Sequence, residues 1–476
     1  MRLALFIIIS ISAFSLAVNP AEGRPPNVVF VLADDLGWAE LGCYGSNFNE
    51  TPCLDQLARQ GVRMTHAYAA APVCSPYRAS LLTGQYPARH GILDYLRPDT
   101  ARPLSREHVT IAERLKAAGY ATGMIGKWHL SGYKYQKAPV ELRATDHGFD
   151  EELVTEVKGV GNGANFFPYV FRTQPISWNS AAKEKLLPGT EYLVDRMNLE
   201  AVRFIERHRA RPFFLYLSHF APHSILNGRP GLVEKYRRKH PPGKSTRSRC
   251  YLCQDAGLEG DPLNHWAGDH NPHLAAMLES IDQGIGMIVE KLKELGLANE
   301  TMIVFTSDNG GELNVTSNAP LRGGKSQLFE GGIRVPLIVK WPGQIPADTV
   351  CNVPTSNVDF YPTFLDVSGL EEKDPQVLDG NSIIDVLRRP EMEHQERTFY
   401  WHYPLPKPHF LGGVSAGAIR QGRWKLIEWF ERKEFSLFDL RNDPGEKRDL
   451  AAEHPETVRR LQDELSGWRN SILKPR

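Results

Sequence analysis

Asp34 and Asp35 in "ADDLG" and Asp308 and Asn309 in "SDNGG" stand far apart in the chain, yet each pair closes an apolar run, "NVVFVLA" and "TMIVFTS". Carboxylate and amide oxygens without an accompanying thiolate or imidazole cluster select a hard cation, Ca²⁺ or Mg²⁺, over zinc. One such aspartate pair is equally well an ordinary helix N-cap. The second acidic strand end turns the balance toward a metal. Lys127 and His129 follow "YATGMIG", His223 follows "PFFLYLS", and Arg78 and Lys325 lie in loops or turns of the same kind. Cationic and proton-bearing groups beside a divalent ion suit a tetrahedral anion, the parts needed for phosphoryl or sulfuryl transfer.

A lone cysteine adds to this set. In "APVCSPYRASLLTGQYPARHG", Cys74 precedes Pro76 by two residues and Arg78 by four, directly ahead of an amphipathic run. Proline is at home in the first turn of a helix, and a helix starting here aims Cys74 and the amides after it at an anion.

The elements that must hold these residues alternate along the chain. Apolar strands take turns with helical stretches such as "TPCLDQLARQG", "TIAERLKAAGY" and "LAAMLESIDQGIGMIVEKLKELG", which predicts an α/β fold with a large, mainly parallel sheet flanked by helices. In such sheets ligands sit beyond the carboxyl ends of the strands, so the polar strand ends should converge on one crevice. Between Gly228 and Asp269 a segment rich in Pro, Gly and charge lacks periodicity and reads as a surface insertion. After about Pro354, "GAIRQGRWKLIEWF", "FSLFDLRNDPGE" and the closing helix "HPETVRRLQDELSGW" read as a small C-terminal α+β subdomain.

With 476 residues, 41% hydrophobic and 24% charged, the chain has a globular composition, and 56 basic against 56 acidic residues leave no global field for nucleic acid or an anionic membrane. The start, Met1-Arg2 followed by "LALFIIISISAFSLAV" and small residues, reads as a cleaved secretory signal over residues 1–23, too short for a stable membrane anchor. The mature chain is therefore expected to be periplasmic or secreted. The cysteines are Cys43, Cys53, Cys74, Cys250, Cys253 and Cys351. If Cys74 is used for chemistry, one of the others has no intramolecular partner; the Cys250/Cys253 pair is a disulfide or two thiols, since a zinc site needs a second such pair.

"CSPYRASLLTG", taken with "ADDLG", "GKWH", "APH", "SDNGG" and "GGKSQLFEGGIRVP" in that order, resembles the type I formylglycine-dependent sulfatases from about Asn27 to the closing helix. Tyr77 departs from the Ser, Thr or Ala usual at that position. The resemblance implies an alkaline-phosphatase-like fold, with residues 24–353 as the catalytic domain and 354–476 as its end plus the C-terminal subdomain. It implies that a maturation enzyme oxidises Cys74 to formylglycine. One hydroxyl of the aldehyde hydrate attacks sulfur and expels the alcohol; the other then loses its proton, sulfate leaves by C–O cleavage, and the aldehyde returns. By the same resemblance Asp34, Asp35, Asp308 and Asn309 hold one Ca²⁺, joined by Cys74 as formylglycine. Lys127 and Lys325 hold sulfate oxygens, His129 and Arg78 orient the hydrate, and His223 is the general acid.

Phosphonate or phosphodiester hydrolysis on the same frame, or an idle glycan-binding relative, are the alternatives. Export and aromatic segments such as "FYWHYPLPKPHF" favour a sulfated carbohydrate as substrate. His90 and His402 are candidate sugar contacts, although a packed or surface histidine is the stronger reading of each.

Overall fold

The computed structural model describes residues 24–97, 102–131, 141–155, 165–167, 169–171, 174–175, 185–239, 270–371 and 376–473. The signal segment, Cys250, Cys253 and most of the 228–269 insertion lie outside them. In chain order the strands are β1 (Asn27–Ala33), β2 (Val62–Tyr68), β3 (Ala121–Lys127), β4 (Glu151–Thr155), β5 (Val170–Phe171), β6 (Gln174–Pro175), β7 (Phe213–Ser218), β8 (Thr301–Ser307), β9 (Arg334–Lys340), β10 (Thr349–Cys351), β11 (Thr355–Ser356), β12 (Thr398–Tyr403), β13 (Ala416–Gln421), β14 (Trp424–Trp429) and β15 (Glu434–Asp439).

The main sheet runs β10-β2-β9-β8-β1-β7-β3-β4, with β11 also paired to β2. β1 lies parallel to both β7 and β8, with Val29 opposite Leu215 and Phe30 opposite Val304. Both faces are covered, which is why β1 reads as an unbroken apolar run. Val29, Val31 and Ala33 join one core under the helices Leu193–His208 and Pro272–Glu294; Val28, Phe30 and Leu32 join the other, where Phe30 meets Phe360 edge-on at 5.0 Å. The mainly parallel expectation holds with one difference: β9 is antiparallel to both β2 and β8.

The predicted helices form at Pro52–Arg59, Ile111–Ala117 and Pro272–Glu294. Thr110 closes a capping box with Glu113 in the second, and Asn271 caps the third through the amides of His273 and Leu274. The third begins two residues before its apolar period does, because Pro272 occupies the first helical turn.

The small sheet, β12-β13-β14-β15, is antiparallel throughout. Its first strand is the aromatic stretch "TFYWHY", which the sequence reading did not assign as a strand. One face packs Ile419, Leu426 and Leu437 on Leu461 and Leu465 of the helix Pro455–Leu473. The other packs Trp401, Tyr403 and Ala418 on Tyr68, Val73 and Ile333 of the main body. Beneath that contact Lys425, fully buried, pairs with Glu330 at 3.0 Å and with Glu446 at 2.9 Å. Among the described residues no helix is long and apolar enough to cross a membrane, and Cys43, Cys53, Cys74 and Cys351 are free thiols.

Candidate active site

The four strands whose ends carry polar residues are consecutive in the sheet, β8-β1-β7-β3, so sheet order alone gathers Asp308, Asp34, His219 and Lys127 at one edge. Close backbone approach is required there. A Cβ on Gly126 would lie 1.9 Å from the carbonyl oxygen of Ser218, and one on Gly310 would lie 1.8 Å from that of Gly331. Only glycine tolerates such contacts.

Cys74 opens the helix Cys74–Thr83, every residue of which is buried, and Pro76 is in its first turn as the sequence suggests. Tyr77 fills the core below the helix at 1% exposure. The residue that departs from the family pattern thus serves packing. Single ligand atoms of Asp34, Asp35, Cys74 and His223 come within 4.8 Å of one another.

Each carboxylate of the cluster carries a cation. Lys127 Nζ is 2.5 Å from Asp34 Oδ2, Lys325 Nζ is 2.6 Å from Asp35 Oδ2, and Arg78 donates to Asp308 Oδ2 at 2.7 Å. Arg78 also donates to the carbonyl of Lys127 at 2.9 Å and to the hydroxyl of Ser218, a residue the sequence reading missed because an ordinary strand-end serine carries no signal of its own. Asn309 donates to Asp35 Oδ1 at 2.7 Å. Two buried oxygens, Asp34 Oδ1 and Asn309 Oδ1, have no hydrogen-bond partner. Oxygens with spare lone pairs in a buried, carboxylate-rich cluster fit a hard divalent cation.

Burial raises the Asp35 carboxyl, but Lys325 and His223 outweigh it and the net shift is downward. Asp308 is raised, by burial and by Asp34. Burial pushes the Cys74 thiol up to about 11, so the unmodified side chain is a poor nucleophile at neutral pH. His129 is held neutral by burial and by the charges of Lys127 and Arg78. Its Nε2 donates to the carbonyl of Leu96 at 2.9 Å, which leaves Nδ1, buried without a partner, as an acceptor. Asp35 and His129 both take positive φ, 64° and 58°, backbone strain of the kind stored at functional sites.

The catalytic and metal-ligand candidates converge, bordered by two loops, one of which takes over at the end of the aromatic segment "FYWHYPLPKPHF". Residues 94–97 carry the Leu96 carbonyl that holds His129, and Asp94 accepts from Tyr403 at 3.4 Å. Residues 409–413 pack just past Lys325, where Gln327 donates to the carbonyl of Leu411 at 3.3 Å. His409 stacks on Phe410 at 4.5 Å and meets Tyr95 edge-on at 5.6 Å. Phe410 itself is 78% exposed. His90 and His402 stay outside: His90 is tied to Ser80 behind the Cys74 helix, and His402 lies against Phe430 on the small sheet. Both are packed histidines.

Residues 26–370 match the Sulfatase family, and residues 324–471 match the family described as N-sulphoglucosamine sulphohydrolase, C-terminal. The chain belongs to the sulfatase family. It is a sulfuric ester hydrolase. The N-acetylgalactosamine-6-sulfatase of Sus scrofa is 33% identical over 94% of this chain and 85% of its own length, and the steryl-sulfatase of Mus musculus is 31% identical over 94% and 83%. The crystal structure of Ps i-CgsB aligns with a TM-score of 0.76 and 30% identity over 94% of this chain and 93% of its own; its complex with k-i-k-neocarrahexaose aligns equally well.

Proposed function

We propose that this sulfatase removes sulfate from a sulfated carbohydrate outside the cytoplasm, after a maturation enzyme converts Cys74 to formylglycine, with one Ca²⁺ held by Asp34, Asp35, Asp308 and Asn309. The observation that carries this reading is the joining of Cys74, two aspartates and His223 within 4.8 Å, framed by Lys127, Arg78 and Lys325. The relatives named for N-acetylgalactosamine 6-sulfate and the neocarrahexaose complex support the saccharide class.

As formylglycine, residue 74 would supply a hydrate oxygen as nucleophile, and Ca²⁺ held by Asp34, Asp35, Asp308 and Asn309 would polarise the ester. The chain's own groups do the rest. Lys127 and Lys325 bind sulfate oxygens while remaining in contact with Asp34 and Asp35, so their positions are set before substrate arrives. Arg78, locked by Asp308 and Ser218, keeps Asp308 in place. His129 offers Nδ1 as an acceptor for a hydroxyl at position 74. His223 with Lys325 delivers a proton to the leaving oxygen. Residues 94–97 and 409–413, with exposed Phe410 as a stacking surface, receive the sugar. Turnover of nitrophenyl sulfate beside nitrophenyl phenylphosphonate tests the reaction, and a panel of sulfated saccharides tests the substrate. Faster turnover of the phosphonate would replace this reading.

A further inference from the structure

A second cavity, of 1020 Å³, opens where β10, β2 and β9 of the main sheet meet the small sheet, and none of its lining residues belongs to the cluster around Cys74. Its size reaches the upper end of the range of about 300–1,000 Å³ usual for small-molecule sites. Five guanidinium groups line it, those of Arg334, Arg397, Arg420, Arg423 and Arg441, together with the imidazole of His66.

Most of these charges are already matched. Arg397 forks onto Asp359 at 2.8 and 2.7 Å, Arg423 is held by Asp439, and Arg334 donates to the carbonyl of Thr65 at 2.7 Å with Glu330 3.7 Å away. The acidic lining residues, Glu391 and Glu396, are exposed. Arg420 is different. It is 6% exposed, lies on the face of β13 that Ala416 and Ala418 turn toward the main body, and sits over the Tyr68 ring at 4.8 Å. Neither its Nε nor its Nη1 has a hydrogen-bond partner. Those two nitrogens are sealed from solvent and the buried carboxylate of Glu330 acts on the same guanidinium, so an anion entering the cavity meets Arg420 through Nη2. Arg441, exposed on the lining of the same cavity, adds a second charge with no ion pair among the described residues.

We propose that this cavity is a second oxyanion-binding site, taking a sulfate or carboxylate group through Arg420 and Arg441. The volume far exceeds a bare sulfate, so the oxyanion is one carried on a saccharide. That choice of carrier rests on the sulfated-carbohydrate reading above.

Calorimetric titration of the mature enzyme with methyl glucoside 6-sulfonate, whose C–S bond sulfatase chemistry does not cleave, tests this. Inhibition of nitrophenyl sulfate hydrolysis by the same compound reports the active site separately. The expected result is a binding component weakened about tenfold or more in Arg420→Met and in Arg441→Ala, with inhibition of hydrolysis unchanged. Arg441→Ala removes an exposed side chain and keeps the test valid if Arg420→Met misfolds. A titration with sodium sulfate distinguishes the sources: equal affinity assigns the site to free oxyanion, and weaker binding assigns it to the saccharide. Superimposable isotherms for wild type and Arg441→Ala, with folded Arg420→Met also unchanged, would overturn the proposal. Wild-type turnover of nitrophenyl sulfate stands or falls independently of either result.

Discussion

Lys325 Nζ lies 3.0 Å from Nε2 of His223, and the same ammonium lies 2.6 Å from Oδ2 of Asp35. The other imidazole nitrogen of His223, Nδ1, faces the carbonyl of Ser224. A carbonyl only accepts, so the neutral ring keeps its proton on Nδ1 and takes a hydrogen bond from Lys325 at Nε2. Burial and the Lys325 charge hold His223 down at about 4, while Asp35 and its neighbours outweigh burial and hold the Lys325 ammonium well above its ordinary value. Under the proposed reaction, the proton offered to the leaving oxygen therefore belongs to the pair.

That pairing sets the first expectation. A sugar alkoxide needs a proton as the S–O bond breaks, whereas nitrophenolate leaves with little help. General acid catalysis typically contributes about 10²–10⁴-fold, so His223→Ala should depress kcat/KM for a sugar sulfate by roughly that much more than for nitrophenyl sulfate. Comparing the two substrates in one protein preparation cancels losses of folding or metal. An equal loss on both assigns His223 to sulfate binding.

Peptide mass analysis of active enzyme should find Cys74 as an aldehyde residue, lighter than the encoded cysteine. The buried thiol, raised to about 11, leaves little thiolate to act by itself. Full activity in protein carrying only unmodified Cys74 would contradict this.

Elemental analysis should return one divalent metal per chain, calcium, and chelation should abolish turnover in a way calcium restores. Asp34→Asn removes a donor charge while Lys127 keeps a polar partner, so the variant should fold, bind the metal more weakly and require added calcium. Two zinc ions per chain needed for turnover would exclude the oxygen-only site.

Phe410 is exposed at the border of the crevice, and stacking of an aromatic face is worth about 0.5–1.5 kcal/mol. Phe410→Ala should lower kcat/KM for a saccharide sulfate by up to about tenfold and leave nitrophenyl sulfate nearly unaffected. Equal effects would place Phe410 outside the sugar path.

The buried trio beneath the small sheet makes a stability prediction. Lys425→Met leaves Glu446 without a cation and Glu330 with Arg334 at 3.7 Å, and stranding a buried charge costs about 3–5 kcal/mol; a thermal melt should show it. Burial, partly offset by Lys425, raises Glu446 to about 7. Because the folded value lies above the unfolded one, Glu446 contributes stability below about 4.5 that is lost as pH rises through about 7. Glu446→Gln should therefore gain on wild type as pH rises from about 4.5 to about 7, and a constant difference across that range would refute the assignment.

Much of this was legible in the residues themselves. Apolar runs long enough for strands, helical periods between them and polar groups at the strand ends specify a doubly covered sheet with one functional edge, because burial on both faces and the carboxyl-end crevice follow from local pattern alone. The motif around Cys74 carries its chemistry in a dozen consecutive residues. What the pattern lacks is neighbour identity. A period of two tells which face a side chain takes and not which strand lies beside it, so the antiparallel β9 and the aromatic strand β12 emerged only in the assembled sheets.

The same limit applies to charge. Arg78 meets Asp308 across 230 positions and Lys325 meets Asp35 across 290. Those partners are set by sheet order and loop path, as are the Phe410 border and the unmatched donors of Arg420. The sequence by itself determined which chemical groups are present and that they share an edge. Only the tertiary structure decided which cation neutralises which carboxylate and which guanidinium is left over, because pairing energies at hydrogen-bond distance depend on ångströms that local propensity does not encode.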